Sequence, residues 1–85
     1  MVFVDNSRLV AYESRKEDKF KYGYQWMTVD NQTIIRWDNT PHFPEFETHP
    51  FHRHLGSDEA PEAFPAIAFA DVLQFIMASI DASPQ

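Results

Sequence analysis

The segment that decides the fold is Phe20-Lys-Tyr-Gly-Tyr-Gln-Trp26, in which aromatic residues occupy every second position. Side chains alternate between the two faces of a β-strand, so this spacing predicts a strand with one wholly aromatic face. Such a row of rings could stack on nucleic-acid bases, but few basic residues accompany it. We therefore expect the aromatic face to pack into the core of a small β-sheet.

Strand signals lie on both sides of this segment. Downstream, Asp30-Asn31 is a turn signal before Thr33-Ile-Ile-Arg-Trp37, which is rich in β-branched and aromatic residues and predicts a hairpin. Upstream, Val2-Phe-Val4 and Leu9-Val-Ala-Tyr12 flank the turn-forming cluster Asp5-Asn-Ser7, which predicts another. Residues 1–37 are thus expected to form two β-hairpins.

The rest of the chain changes character twice. Residues 38–66 hold five of the six prolines, and because proline lacks the amide that a central strand donates, we expect an ordered loop. Apolar residues then recur at helical spacing, which predicts an amphipathic helix over residues 69–80. The prediction is a single α+β domain over residues 1–85, with an antiparallel sheet of about four strands, a Pro/His-rich loop and a C-terminal helix packed on one face.

Composition limits the functions that such a chain can have. With 85 residues and no cysteine, it has neither disulfides nor a thiolate metal site, and its core is modest. No apolar run approaches a membrane span, and the N-terminus lacks a signal-peptide pattern, so we expect a cytoplasmic protein that does not enter a membrane. Its aromatic content exceeds what one small core hides, which favours a protein–protein surface, including a homodimer.

Charge is unevenly distributed along the chain. The formal net charge is −6, and Arg53 is the one Lys or Arg after residue 41. A domain that binds nucleic acid by bulk electrostatics is normally basic, so any contact with RNA must come from a local patch. Glycine-rich phosphate loops, Gly-x-Ser-x-Gly motifs and cysteine nucleophiles are absent, which excludes several enzyme classes.

All four histidines fall between residues 42 and 54, and two of them form the run His52-Arg53-His54. In an extended segment, both of these imidazoles point to one face and Arg53 to the other. They could act as general acid and base on a phosphodiester, with an arginine bracing the phosphate. They could also ligate a metal, with His42, His49 or Asp38 completing the site. A third reading is a rigid, partly buried loop whose histidines have no chemical role.

A second group of polar residues, Arg36-Trp-Asp-Asn39, closes the second predicted hairpin. Arg36 and Asp38 are two apart on a strand, so they share a face and can pair or present a guanidinium to a phosphate. The alternative is a salt bridge at the end of the sheet, followed by an Asx-type turn.

Taken together, these motifs resemble the TumE family, the small toxins of bacterial and archaeal toxin–antitoxin modules. The resemblance spans roughly residues 8–80 and is densest over residues 22–56. One departure is Trp37, where a tyrosine is more usual, and another is the extra N-terminal sequence that members often carry, which suggests that this chain is truncated or minimal. The motifs that carry the resemblance are Tyr22-Gly-Tyr-Gln25, Ile35-Arg-Trp-Asp-Asn-Thr-Pro-His42, Pro50-Phe-His-Arg-His-Leu-Gly56 and the helix around Val72-Leu73.

The resemblance implies a cytoplasmic toxin that a helix-turn-helix antitoxin neutralises by direct contact. The leading hypothesis is a metal-independent endoribonuclease without a cofactor; the alternatives are a module that inhibits its target stoichiometrically and a His-ligated metal-binding domain. On the leading hypothesis, the expected catalytic residues are His52, His54 and His42, and the expected substrate-binding residues are Arg36, Arg53, Asp38 and Asn39.

Overall fold

The fold is a five-stranded antiparallel sheet followed by one helix, described here for residues 1–82 of a computed structural model. The strands occur in the sheet in their order along the chain, so each pairs with the next. This confirms the predicted α+β class, with five strands where about four were expected. The elements are β1 (Arg8–Lys16), β2 (Lys19–Met27), β3 (Thr33–Asp38), β4 (His52–Leu55), β5 (Ala60–Ala63) and α1 (Phe69–Ala82).

The first hairpin differs from the expected one. β1 pairs with β2 along its whole length, and Glu17 and Asp18 form the turn between Lys16 and Lys19. Residues 2–4 contribute only an isolated bridge between Val2 and Arg8. The charged run that ends β1 forms strand because its side chains are exposed, so their charge does not oppose backbone pairing. The second hairpin, β2 with β3, is present as expected.

Part of the expected loop is also strand. β4 and β5 both fall within residues 38–66, although Pro61 lies in β5. β5 is the last strand of the sheet, and an edge strand tolerates a residue without an amide proton. Its sequence, Ala-Pro-Glu-Ala, has none of the β-branched or aromatic residues that indicate a strand. The longest irregular part of the Pro/His-rich segment is thus residues 39–51, and shorter ones are residues 56–59 and 64–66.

The aromatic face of β2 packs into the core, as predicted. Tyr24 and Trp26 are buried beside Trp37 of β3, and Val72 and Ile76 of the helix are fully buried in the same cluster. The ring of Phe75 packs edge to face with both Trp26 and Trp37, whereas Met77 of the same helix is exposed. Phe20, the first ring of the series, is also partly exposed because it lies at the outer end of β2.

The helix packs on one face of the sheet. The strand residues that alternate with the core residues point to the other face. We call this second face the polar face. It carries Lys21 and Gly23 of β2 and Arg36 and Asp38 of β3, which alternate with the core residues. Within residues 1–82, no helix has the length and apolarity of a membrane span.

Candidate functional site

Two adjacent strands bring the candidate residues together on the polar face. β3 and β4 are antiparallel, and their register places Asp38 opposite His52 and Arg36 opposite His54. All four side chains point away from the helix because Trp37, which lies between Arg36 and Asp38, points into the core. Strand alternation, read from the sequence, had placed these two pairs on common faces, and the strand register joins the pairs.

Asp38, His52 and His54 form a buried cluster, which we call the Asp–His–His cluster. The Nε2 atom of His52 lies 2.9 Å from Oδ1 of Asp38, and the Nε2 atom of His54 lies 3.6 Å from Oδ2. All three residues are buried, with His52 only 2% exposed. The two imidazole rings meet edge to face, with their centroids 4.9 Å apart. The two rings thus meet beneath the surface of the polar face and not in an open cleft.

The backbone fixes the orientation of both imidazoles. Nδ1 of His52 is 3.0 Å from the carbonyl oxygen of Pro50, and Nδ1 of His54 is 3.0 Å from that of Glu59. A carbonyl oxygen can only accept a hydrogen bond, so each Nδ1 carries a proton and donates it. In the neutral ring, Nε2 is then the atom with the lone pair. Both of these Nε2 atoms face the Asp38 carboxylate.

Asp38 is held on its other side by Thr40. The backbone amide and the hydroxyl of Thr40 both donate to Oδ1 of Asp38, at 3.0 and 2.7 Å. This local turn is the Asx-type arrangement that often follows a strand. It fixes the carboxylate at the end of β3, and sequence analysis did not assign Thr40 a role, although the residue order Asp-Asn-Thr is a signal for such a turn.

Arg36 lies at the surface end of the cluster. Its Nε is 3.4 Å from Oδ2 of Asp38, and its Nη1 is 3.2 Å from Oε1 of Glu59. About a third of its side chain is exposed, so the guanidinium can contact a bound anion from its present position. Glu59 was not among the expected site residues, because it is 23 residues from Arg36 in sequence and only the β3–β4 pairing brings it close.

Asn39 has a structural position. Its side-chain oxygen accepts a hydrogen bond from the Tyr22 amide at 3.0 Å, and its amide nitrogen donates to the Phe20 carbonyl at 2.7 Å. The side chain thereby continues the pairing between β2 and β3 beyond the last residue of β3. Asn39, which was expected to bind substrate, lies in the wall of the site with its side-chain oxygen and nitrogen both bonded to backbone.

Arg53 does not join the cluster. Strand alternation places it on the helix side of β4, where its Nε donates to Glu62 of β5 and its guanidinium covers the ring of Phe64 at 4.3 Å. These contacts occupy its charged group on the face opposite the Asp–His–His cluster.

The other two histidines also lie outside the cluster. His42 and His49 are both exposed in the segment between β3 and β4. Phe43, beside His42, packs edge to face on His52 and His54 at centroid distances of 4.9 and 5.9 Å, and so covers the buried imidazoles. The four histidines that are close in sequence are therefore divided in the structure into two buried and two exposed residues.

An open hollow of about 360 Å³ adjoins the cluster on the polar face. Gly23 forms part of its floor, and a β-carbon built on this glycine would meet nothing within 4 Å. Tyr12 and Lys21 were missed as site residues, although they alternate with core positions on β1 and β2 and this alternation was visible in the sequence. The residues that line the hollow are Tyr12, Lys21, Tyr22, Gly23, Arg36, Asp38, Asn39, Thr40 and His42.

Positive charge continues from this hollow along the polar face. A second hollow of about 390 Å³ shares Tyr12 and Lys21 with the first, and Lys16 and Lys19 line it as well. Its one acidic lining residue is Glu17, in the turn between β1 and β2. A protein with a net charge of −6 thus carries a local basic surface beside the candidate site, which we call the lysine stripe (Lys16, Lys19, Lys21).

Comparison with known proteins identifies a family to which the chain is similar. The model of the family described as toxin TumE matches residues 1–80. No curated protein and no solved structure matches the chain at a significant level. This match covers nearly the whole chain and agrees with the resemblance seen in the sequence motifs. Because such toxins belong to toxin–antitoxin modules, the expected kind of partner is an antitoxin. The chain belongs to the TumE family of toxins, from toxin–antitoxin modules.

Proposed function

We propose that this toxin acts on RNA as an endoribonuclease and that the hollow on the polar face binds the scissile phosphate. The observation that carries the proposal is the placement of Lys21, Arg36 and His42 around one open hollow, with glycine at its floor. In phosphodiester cleavage, two cationic side chains can stabilise the charge on the phosphate and an accessible imidazole can accept the proton of the nucleophile.

Electrostatics supports RNA as the substrate class. The lysine stripe extends the basic surface from the hollow to the turn between β1 and β2. Phosphate contacts from lysine and arginine supply most of the sequence-independent affinity for nucleic acid. The exposed ring of Tyr12 lies between the two hollows and can stack on a base, because every base offers a π-face. A single strand lying along the polar face would contact all of these groups.

The reaction assigned to the hollow is attack by a ribose 2′-hydroxyl on the adjacent phosphorus. A new bond forms between the 2′-oxygen and phosphorus, and the bond to the 5′-oxygen breaks, which gives a cyclic phosphate and a free 5′-hydroxyl. His42 accepts the proton of the attacking hydroxyl, and water protonates the leaving oxygen. Arg36 and Lys21 stabilise the negative charge that develops on the phosphate oxygens.

The proposal gives His52 and His54 an indirect role. Their rings are buried under Phe43, and their Nδ1 protons are engaged with carbonyl oxygens. They are positioning residues that hold Asp38, and through Asp38 the guanidinium of Arg36 is held at the hollow. The direct acid–base role expected from their spacing in sequence is thus proposed for His42 alone.

The test measures turnover of a labelled single-stranded RNA with trace amounts of the toxin. His42→Gln and Arg36→Gln should each lower the cleavage rate roughly 100-fold, and His49→Gln is the matched control because His49 is exposed in the same segment but does not line the hollow. Equal activity of the His42 and His49 variants would remove His42 from the reaction. Growth inhibition that titrates a target one for one, without RNA turnover, would favour the stoichiometric inhibitor instead.

A further inference from the structure

The Asp–His–His cluster has a feature that its proposed positioning role leaves unexplained. His52 Nε2 is buried, and among residues 1–82 it has no hydrogen-bond partner. Asp38 Oδ1 lies 2.9 Å from it, but the alignment of the two groups is not that of a hydrogen bond. A buried polar atom left in this way is costly and calls for a partner.

We propose that Asp38, His52 and His54 bind a divalent transition-metal ion of the zinc class. Each residue offers one ligand atom, and the three atoms lie within 4.8 Å of one another. Two imidazoles with one carboxylate form a donor set that suits zinc and iron(II), whereas magnesium and calcium prefer oxygen ligands alone. All three ligands are buried, unlike the exposed acidic groups that often cluster without a metal.

The tautomers set by the backbone support metal ligation. In metal sites, a ligating histidine usually donates its other ring proton to a carbonyl or carboxylate, which orients the ring. Both histidines already donate Nδ1–H to carbonyl oxygens, of Pro50 and Glu59. In a neutral ring of this tautomer, the Nε2 lone pair faces the lone pairs of the Asp38 carboxylate, which is unfavourable. A cation between the three atoms converts this repulsion into coordination.

The distances between the ligand atoms also fit. For metal–ligand bonds of about 2.1 Å, ligand atoms about 2.9 and 3.6 Å apart subtend angles of roughly 90° and 120° at the metal. The distance of 2.9 Å joins His52 Nε2 to Oδ1 of Asp38 and that of 3.6 Å joins His54 Nε2 to Oδ2, so each nitrogen can share an ion with the carboxylate oxygen beside it. Three protein ligands leave further coordination positions for water or another oxygen ligand.

The charge around the cluster is compatible with a divalent cation. Arg36 is the nearest positive group, and Glu59 pairs with it at 3.2 Å. With neutral imidazoles, Asp38, Glu59 and Arg36 sum to one negative charge, so a bound divalent ion leaves the site with one positive charge. The same ion would link β3 to β4 in a chain that has no disulfide to support its small core.

The test uses the full chain stripped of metal with a chelator and titrated with Zn²⁺ or Co²⁺ in the absence of RNA. We expect binding of one ion per chain, a higher unfolding temperature with Zn²⁺, and cobalt absorption bands typical of nitrogen and oxygen ligands. His52→Gln and His54→Gln should each weaken Zn²⁺ binding roughly 100-fold, whereas the matched controls His42→Gln and His49→Gln should bind as the unsubstituted chain does.

Three outcomes would overturn the proposal. One is a stripped wild-type chain that binds no Zn²⁺ at micromolar free concentration, a result that needs no variant to fold. Another is loss of binding in the control variants equal to that in the His52 and His54 variants. The third is binding without any rise in the unfolding temperature, which would place the ion at the surface. Because RNA is absent from all of these measurements, they are independent of the ribonuclease proposal.

Discussion

The Nε2 atom of His52 and the Oδ1 atom of Asp38 lie 2.9 Å apart across the β3–β4 pair, with both side chains buried. The two residues are 14 positions apart in sequence, and their strand register makes them direct neighbours. Their contact joins the central part of the sheet to β4, and so the candidate site and the stability of the sheet depend on the same side chains.

Removal of the Asp38 carboxylate should therefore destabilise the whole domain. In Asp38→Ala, the amide and the hydroxyl of Thr40 lose their acceptor and Arg36 loses one of its two carboxylate partners, at a cost of about 3 kcal/mol in the free energy of unfolding. Urea denaturation followed by tryptophan fluorescence measures it. Asp30→Ala, at an exposed turn, is the control and should change stability little. Equal stability of the two variants would show that the cluster contributes nothing to folding.

Asn39 should matter for stability rather than for substrate binding. Asn39→Ala removes the two hydrogen bonds that continue β2–β3 pairing to Tyr22 and Phe20, which should lower the free energy of unfolding by about 1–3 kcal/mol. Gln32→Ala, an exposed residue in the turn between the same two strands, serves as the control. If Asn39→Ala weakened RNA binding with no loss of stability, the structural reading of this residue would be wrong.

Alkaline solution should destabilise the fold through its buried tyrosines. Burial raises the pKa of the Tyr22 hydroxyl, and burial followed by the hydrogen bond to the Glu13 carboxylate raises the pKa of Tyr24 strongly. In the unfolded chain both ionise near pH 10. A pKa that is higher in the folded state contributes stability that is complete below about pH 10 and is lost as the pH rises further.

The measurement is the unfolding free energy at pH 8 and at pH 11. Tyr24→Phe should reduce the loss between these two values, because the substituted chain has one buried hydroxyl fewer to ionise on unfolding. Tyr12→Phe, at an exposed position, should leave the loss as it is in the unsubstituted chain. The same loss in all three proteins would contradict the assignment to Tyr24.

The lysine stripe should set the salt dependence of RNA affinity. Lys16→Gln combined with Lys19→Gln should reduce the slope of log affinity against log salt by about 1.4, since each phosphate contact to a single strand contributes about 0.7. Arg15→Gln is a close control: Arg15 precedes Lys16 but lies on the helix side of the sheet, over the Phe20 ring. An equal effect of Arg15→Gln would mean that net charge, not the polar face, attracts RNA.

Much of the sheet could be predicted because its signals are local. The aromatic residues of β2 alternate without interruption, and Thr33–Trp37 are typical strand residues after a turn. β5 could not be predicted, because it forms by pairing with β4 and its own residues favour no strand. The pairing of β1 with β2 could not be predicted either, because it is set by the tight turn at Glu17 and Asp18 and not by the turn signal at Asp5.

The site was predictable to the same extent. Alternation placed Arg36 with Asp38 and His52 with His54, and the register of β3 on β4 joined the two pairs. The positions of His42 and His49 depend on an irregular segment whose course no periodicity describes, so their separation from the other two histidines could not be predicted. The burial of His52 and His54 could not be predicted either, because it depends on the packing of Phe43 over their imidazoles.

In β3 the core residue Trp37 lies between Arg36 and Asp38, so one strand supplies residues both to the core and to the polar face. Substitutions can alter either layer alone, but inserting or deleting one residue in β3 would turn the indole outward and the charged groups inward together. We therefore expect natural variants of this strand to differ by substitutions. Insertions and deletions should be tolerated only in the segments on either side of it.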